Sequence, residues 1–471
     1  MRNETAGAPL AMGIPVQATA GRGPESSGLQ RSLGGLFGVA VAVGSMIGVG
    51  VLRIPGIILG HVETPLAAML VWLAGAMYVL LCVNYMAELA SAIPRSGGAY
   101  VFAERTLGRF GGTVVGWSDF LNSVFAIALL AVALAEFIGE LIPRLEGSTA
   151  AVATVLISAL TLLNLHGVRL AGGTQQLTSL VKLIALWALA IACLVLTHPV
   201  QTHPAAHPAT SPGAIFGVGI VASFQLVLGA FNGWAAPGYF GGEATDKSRG
   251  VARSLVYGAL LVAATYLAIN AAIFYVVPAS ELIASKLPAA DALERLTASH
   301  GLHPGLGGTL FVAVAVLCLP STLQAVMMQT SRTLHAMSVD GLFLRWGAFV
   351  NQRGSPVHAT IVCGAVAVLL ATTSSFETLF VTFTVFAVLN NLILLCGLVR
   401  LRHAEPDLPR PFRAIGYPWA LLPIVLIDLV VFYGFATANV RQCLLSAAIL
   451  AGLYVAYRLQ RKGKIKAEKQ W

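Results

Sequence analysis

Apolar residues run along this chain in long continuous blocks. From about position 34 onward, stretches of some 20 residues rich in Ala, Leu and Val are separated by short polar turns. A helix needs about 20 apolar residues to cross the ~30 Å hydrocarbon core of a bilayer. Strands of a membrane barrel would instead alternate apolar and polar positions. The blocks predict an all-α integral membrane protein with twelve spans. These lie at about 36–59, 66–92, 110–139, 147–167, 174–198, 213–242, 252–277, 303–336, 356–374, 377–400, 417–437 and 440–459. Residues 1–33 are expected as a disordered polar tail and 461–471 as a basic tail. The longest outer loops are expected at 199–212 and 278–302, the first a solvated Pro/His/Thr-rich segment.

Two blocks are interrupted. Gly44-Ser-Met-Ile-Gly48-Val49-Gly50 puts three glycines in seven residues midway through the first span. Gly229-Ala-Phe231-Asn232-Gly233-Trp234-Ala-Ala-Pro237-Gly238 clusters Gly, Asn and Pro at similar depth in the sixth. Glycine costs roughly 1 kcal/mol in a helix interior, so both segments are weak helix at mid-membrane depth. Spans 1 and 6 hold the same place in two consecutive five-span units, 34–200 and 213–402, with the last two spans at 415–460. Paired interrupted helices at matching positions point to an inverted-repeat transporter. Unwinding frees N–H and C=O groups that lipid cannot satisfy. A zwitterion satisfies both kinds: its carboxylate suits amides at a half-helix N-terminus, its ammonium suits carbonyls. A hinge or close-packing kink without ligand is the competing reading.

Composition narrows the class further. Of 471 residues 57% are hydrophobic and 10% charged, against roughly 25% charged in soluble domains; mean hydropathy is +0.80. The net charge of +9 suggests nucleic acid only until its distribution is read. With the N-terminus cytoplasmic, 23 of the 29 basic residues fall inside, as the positive-inside rule requires. Both termini are therefore expected on the cytoplasmic face of the inner membrane, with lipid and a solute as partners and no nucleic acid. The six cysteines are scattered singly, with no zinc spacing, so no metal or disulfide is expected. No HExxH, GxSxG, P-loop or paired-carboxylate pattern favours an enzyme.

Several motifs carry a resemblance. Gly44-Ser-Met-Ile-Gly-Val-Gly-Val-Leu52 with Pro55-Gly56, Pro94-Arg-Ser-Gly-Gly-Ala-Tyr100, Asn164-Leu-His-Gly-Val-Arg169, Gly233-Trp234 through Glu243, Ser331-Arg332 with Ala336-Met-Ser-Val-Asp-Gly341, and Pro406-Asp-Leu-Pro-Arg-Pro-Phe412 resemble the amino acid–polyamine–organocation (APC) superfamily. The likeness is greatest to its L-type amino-acid transporter branch and bacterial relatives. It implies the LeuT-type fold, five helices plus five inverted with two added, helices 1 and 6 discontinuous. It implies secondary active transport of an amino acid, by proton-coupled symport or exchange. A polyamine or amine exchanger, or a non-transporting sensor, are alternatives of the same fold. It implies a substrate carboxylate on the amides of Val49, Gly50 and Val51 beside Gly48, and an ammonium on the carbonyls of Met46, Gly229 and Asn232. Val49 replaces the family's serine, so a hydroxyl contact is lost. The usual aromatic gate falls on Gly229, leaving Phe231 or Trp234 to cover the site.

Intramembrane charges are functional candidates. The resemblance places the ammonium of Lys182 where sodium-coupled cousins hold a cation, between spans 1, 5 and 8; snorkelling is the bland alternative. No cofactor is expected, and a proton is the candidate coupling ion if transport is by symport and not by exchange. Arg53 shares a helical face with the break, either selecting substrate, pairing with a glutamate such as Glu136, or lining an aqueous vestibule. Glu243, Lys247, Arg249, Arg332 and Asp340 form either cytoplasmic gate pairs or solvated helix ends. Loop 140–146 lacks the cysteine by which animal relatives join a heavy subunit, so a stand-alone monomer or homodimer is expected.

Overall fold

The first apolar block folds as two helices, α1 (Gly35–Met46) and α2 (Gly50–Val62), meeting at a 45° bend. The computed structural model describes residues 29, 31, 33–48, 50–199, 219–246, 249–285, 287–374, 376–438 and 440–468. After the bend come α3 (Pro65–Ala92), α4 (Ala99–Leu141), α5 (Thr149–Leu165) and α6 (Val168–Leu196). The sixth block contributes α7 (Ile220–Ala230), which gives way to turns and a short 3-10 segment, Ala236–Tyr239. Then follow α8 (Arg249–Val276), α9 (Ala279–Ala284), α10 (Pro288–Ser299), α11 (Leu306–Val339), α12 (Val357–Thr373), α13 (Phe376–Ala404), α14 (Leu421–Ala438) and α15 (Val440–Glu468). No strand occurs among the described residues, only isolated bridges Leu33–Ala244 and Ser96–Phe240. Six of these helices are long and apolar enough to cross a membrane, and seven if α1 and α2 count as one bent span.

Local chemistry sets several boundaries. Thr64 accepts the Ala67 N–H at 3.2 Å and Pro65 follows at the first helical position, a pairing that starts a helix without an orphan donor. Gly108 adopts φ 76° inside α4, so Ala99–Leu107 forms a separate arm and the span begins after it. That arm was unforeseen. So were α9 and α10, in the segment expected as loop 278–302: Pro288 starts α10, but its low mean hydropathy hides it from a search for spans. Residues 1–28, 30 and 32 of the expected tail, residues 200–212 of the expected loop, and Lys247 lie outside the described residues.

Polarity is reversed from that of a water-soluble protein. Leu36, Leu66, Leu70, Val155, Leu177 and Tyr433 are exposed on the perimeter, whereas Glu88, Asp119, Lys182, Glu243, Arg332 and Asp428 are buried. Such a perimeter fits lipid, and its interior must satisfy its own polar groups. Packing brings α3 against α8, α4 against α11 and α5 against α12, while α1 lies among α6, α8 and α11. Small residues permit the closest approach: a Cβ on Gly258 would sit 2.3 Å from that of Ala42.

Candidate functional site

Both interruptions foreseen in the sequence are real breaks, and they touch. α1 stops at Met46, Ile47 is extended (φ −78°, ψ 93°), and helix resumes at Gly50. α7 stops at Ala230, and Gly233 takes φ 97°, a conformation L side chains resist. Gly233 is also the point of contact. A Cβ there would lie 2.7 Å from the Ser45 carbonyl oxygen, and the Ser45 hydroxyl donates to the Gly233 carbonyl at 2.9 Å. Gly50 meets Ala230, where an added Cβ would fall 3.0 Å from the alanine Cβ.

Two side chains from other helices hold the broken ends. Lys182 on α6 is fully buried. Its Nζ donates to the carbonyls of Gly44 (3.1 Å) and Ile47 (2.7 Å) and to Thr322 Oγ1 (2.9 Å). An ammonium has three N–H donors, and all three are used. Thr322 on α11 donates in turn to Ile47 O at 2.7 Å. The cation therefore sits at the C-terminal end of α1, where the helix dipole is negative. Tyr266 on α8 is the second tie. Its hydroxyl lies 2.7 Å from Met46 O and 2.8 Å from Ala230 O, the last residues of α1 and α7.

A cavity of about 740 Å3 opens against the breaks. Met46, Gly48, Gly50, Gly229, Asn232 and Gly233 line it. Val49 lies outside the described residues. Val51 is buried within α2 and does not line the cavity. Phe231 is buried too, its ring 4.7 Å from that of Tyr266 and 6.3 Å from that of Trp72; it supports the break from behind. Trp234 faces Tyr85 at 6.0 Å and lines a smaller adjoining cavity of about 120 Å3. Arg53 and Glu136 both line the large cavity, towards its Ile57 and Ser285 side.

The opposite end is closed by charge. Arg332 and Glu243 form a bidentate pair (2.9 and 3.0 Å) with side chains 3% and 0% exposed. The Arg332 guanidinium also lies 5.1 Å from the Phe240 ring centroid. Arg95 grips Asp340 through two contacts of 3.0 and 3.1 Å, and Tyr100 donates to the same carboxylate. Glu88 takes Arg402 and lies 3.3 Å from Arg410. Glu243, Arg332 and Asp340 are thus paired groups rather than solvated helix ends. Tyr266, Thr322, Asp119 and Asp428 escaped the sequence reading, although the rule that intramembrane ionisable groups are functional candidates reaches both aspartates.

The sequence profile of the amino acid permease family matches residues 33–455. The serine/threonine exchanger SteT of Bacillus subtilis is 27% identical over 318 residues, 67% of this chain and 69% of its own. The human b(0,+)-type amino acid transporter 1 is 25% identical over 417 residues, 86% of this chain and 83% of its own. An uncharacterised transporter of Mycobacterium tuberculosis is 28% identical over 353 residues, covering 74% and 75%. The chain belongs to the amino acid permease family of the APC superfamily, and is an integral membrane protein, not an enzyme.

Proposed function

We propose that this permease carries an amino acid across the cytoplasmic membrane by alternating access, with exchange as its mode. The observation that carries the reading is the convergence of two helix breaks on one cavity of about 740 Å3, within the ~300–1,000 Å3 typical of small-molecule sites. Gly50 opens the N-terminus of α2, where amides and dipole favour a carboxylate. The carbonyl of Met46 keeps a second lone pair beyond Tyr266, and together with Gly229 O it suits an ammonium. Exchange is favoured because a relative is named an exchanger. The full pairing of Lys182 also suits a fixed cation that holds α1 rather than a group that leaves its place.

The reading includes the LeuT-type inverted repeat with twelve spans. Five shorter apolar helices stand beside the seven spans just counted, which brings the total to twelve. Positions two, three and four of one half pack on the same positions of the other, as α3 on α8, α4 on α11 and α5 on α12. On the positive-inside rule the arginine-rich end is cytoplasmic, and the cavity opens outward. Counterflow of labelled amino acids into proteoliposomes, guided by a thermal-shift screen of the twenty amino acids, tests the reading. Binding without flux would make the protein a sensor, and no response to any amino acid would overturn the proposal.

A further inference from the structure

The 120 Å3 cavity behind the breaks differs in chemistry from the large one. It shares Asn122, Ser123, Asn232, Gly233 and Gln329 with it, so a ligand seated at the breaks borders both. Beyond that common wall it is lined by two acids on different helices. Asp119 of α4 accepts from the Tyr239 hydroxyl at 2.6 Å and from Thr333 at 3.0 Å. Asp428 of α14 accepts from the Tyr78 hydroxyl and from Asn391 Nδ2, the latter at 2.7 Å. Every one of these partners is neutral. Asp119 and Asp428 are 3% and 1% exposed, and no lysine, arginine or histidine is among the residues lining the cavity. Among the described residues the other buried carboxylates, Glu88 and Glu243, are matched by arginines, and this pair is not.

Three further features have the same sense. The Asn122 Oδ1, shielded from solvent, has no hydrogen-bond partner, and it is an acceptor waiting for a donor. Tyr85 and Trp234 stand edge to face on the wall, and aromatic faces attract organic cations. Each carboxylate offers about four acceptor positions, so the neutral donors already present leave room for more. Burying carboxylates without a countercharge is costly, and a ligand that brings one is favoured. At about 120 Å3, several times the ~10–15 Å3 that one water requires, the space admits the end of an unbranched side chain.

We propose that this cavity is a subsite for a cationic side chain, formed around Asp119 and Asp428, and that the preferred substrate is a lysine-like dibasic amino acid. The proposal rests on the amino-acid transport reading, since the breaks hold the α-carboxylate and α-ammonium while the side chain enters the subsite. The test uses the full chain in detergent and in proteoliposomes with three probes: L-lysine, its neutral analogue L-norleucine, and cadaverine, which lacks the carboxylate.

Lysine is expected to half-saturate at a concentration about tenfold or more below norleucine, the scale of one charge-assisted contact. In Asp119→Asn and Asp428→Asn, each checked for a monodisperse folded sample, the lysine-to-norleucine preference is expected to fall about tenfold or more. Norleucine binding as well as or better than lysine in the wild-type protein overturns the subsite and leaves amino-acid transport standing; that is also the result if a proton supplies the missing charge. Binding of cadaverine but of neither amino acid supports the subsite and overturns the amino-acid reading. Binding of none overturns both.

Discussion

Replacing Tyr266 with phenylalanine removes one oxygen from the place where the two broken helices are tied together. The ring itself is held independently, 5.5 Å from Trp72 and 4.7 Å from Phe231, so its packing survives the change. What is lost is a hydroxyl 2.7 Å from Met46 O and 2.8 Å from Ala230 O, in a residue 1% exposed. One net hydrogen bond is worth about 1 kcal/mol, and buried carbonyls left short of a donor raise the loss to about 1–3 kcal/mol.

Because the tie spans both breaks, that loss is expected to appear in substrate affinity as well as in stability. At 1.4 kcal/mol per tenfold, affinity weakens about 5- to 150-fold. Binding and exchange are measured on Tyr266→Phe beside Tyr257→Phe, a change on the same helix at a residue 60% exposed, which is expected to leave both unaltered. An affinity within about twofold of wild type and an unchanged melting temperature for Tyr266→Phe would refute the reasoning.

Lys182→Ala strips two charge-assisted bonds from the broken end of α1 and a third from Thr322 on α11, worth about 1.5–3 kcal/mol each before desolvation is offset, and is expected to abolish uptake in proteoliposomes; wild-type kinetics would sink the assignment. Gly233→Ala forces φ 97° on an alanine and sets its Cβ 2.7 Å from Ser45 O, so a loss of at least about 1–3 kcal/mol is expected in thermal unfolding. Glu243→Gln leaves Arg332 buried without its partner, at about 3–5 kcal/mol; adding Arg332→Met is expected to restore much of the lost melting temperature. Glu294, outside the spans, accepts N–H bonds from Gly305 (2.6 Å), Gly307 (2.9 Å) and Gly308 (3.3 Å), and these hold its carboxyl below the usual range. Its contribution is therefore present above the ordinary carboxylate value of ~4.3 and lost as pH falls through the lower folded value. Protection against hydrogen exchange at residues 301–308, taken relative to the intrinsic rate at each pH, is expected to fall on acidification, and Glu294→Gln to remove that dependence.

The breaks were legible because glycine clusters are visible wherever they sit in an apolar block. Their contact was not, because Gly233 meeting Ser45 depends on how α1 and α7 are brought together by helices far away in sequence. Lys182 stood out as a cation among leucines, but its partners Gly44 O and Ile47 O are backbone atoms that any sequence would supply. Phe231 and Trp234 were expected to cover the site on proximity alone. Turning at Gly233 separates them, sending one into the aromatic core with Tyr266 and the other into the smaller cavity. Asp119 and Asp428 were visible in principle, since each is an acid inside a predicted span. The arm Ala99–Leu107 and helices α9 and α10 were hidden because a search for 20-residue apolar blocks passes over short amphipathic helices.

On the alternating-access proposal, the end closed by Arg332–Glu243, Arg95–Asp340 and Glu88 with its two arginines must also open. Ion pairs suit a surface that is dry in one state and wet in the other. When the pair is buried, mutual attraction roughly offsets the desolvation of both charges; when the end opens, each charge recovers its water. The cost of opening is then far below the ~3–5 kcal/mol of leaving one charge buried alone. An apolar seal would lose about 25 cal/mol for every Å2 wetted, with nothing returned. The bidentate geometry of Arg332 on Glu243 therefore sets where the closed state locks without making it irreversible. The apolar perimeter, which never meets water in either state, is where the chain can be uniformly leucine-rich.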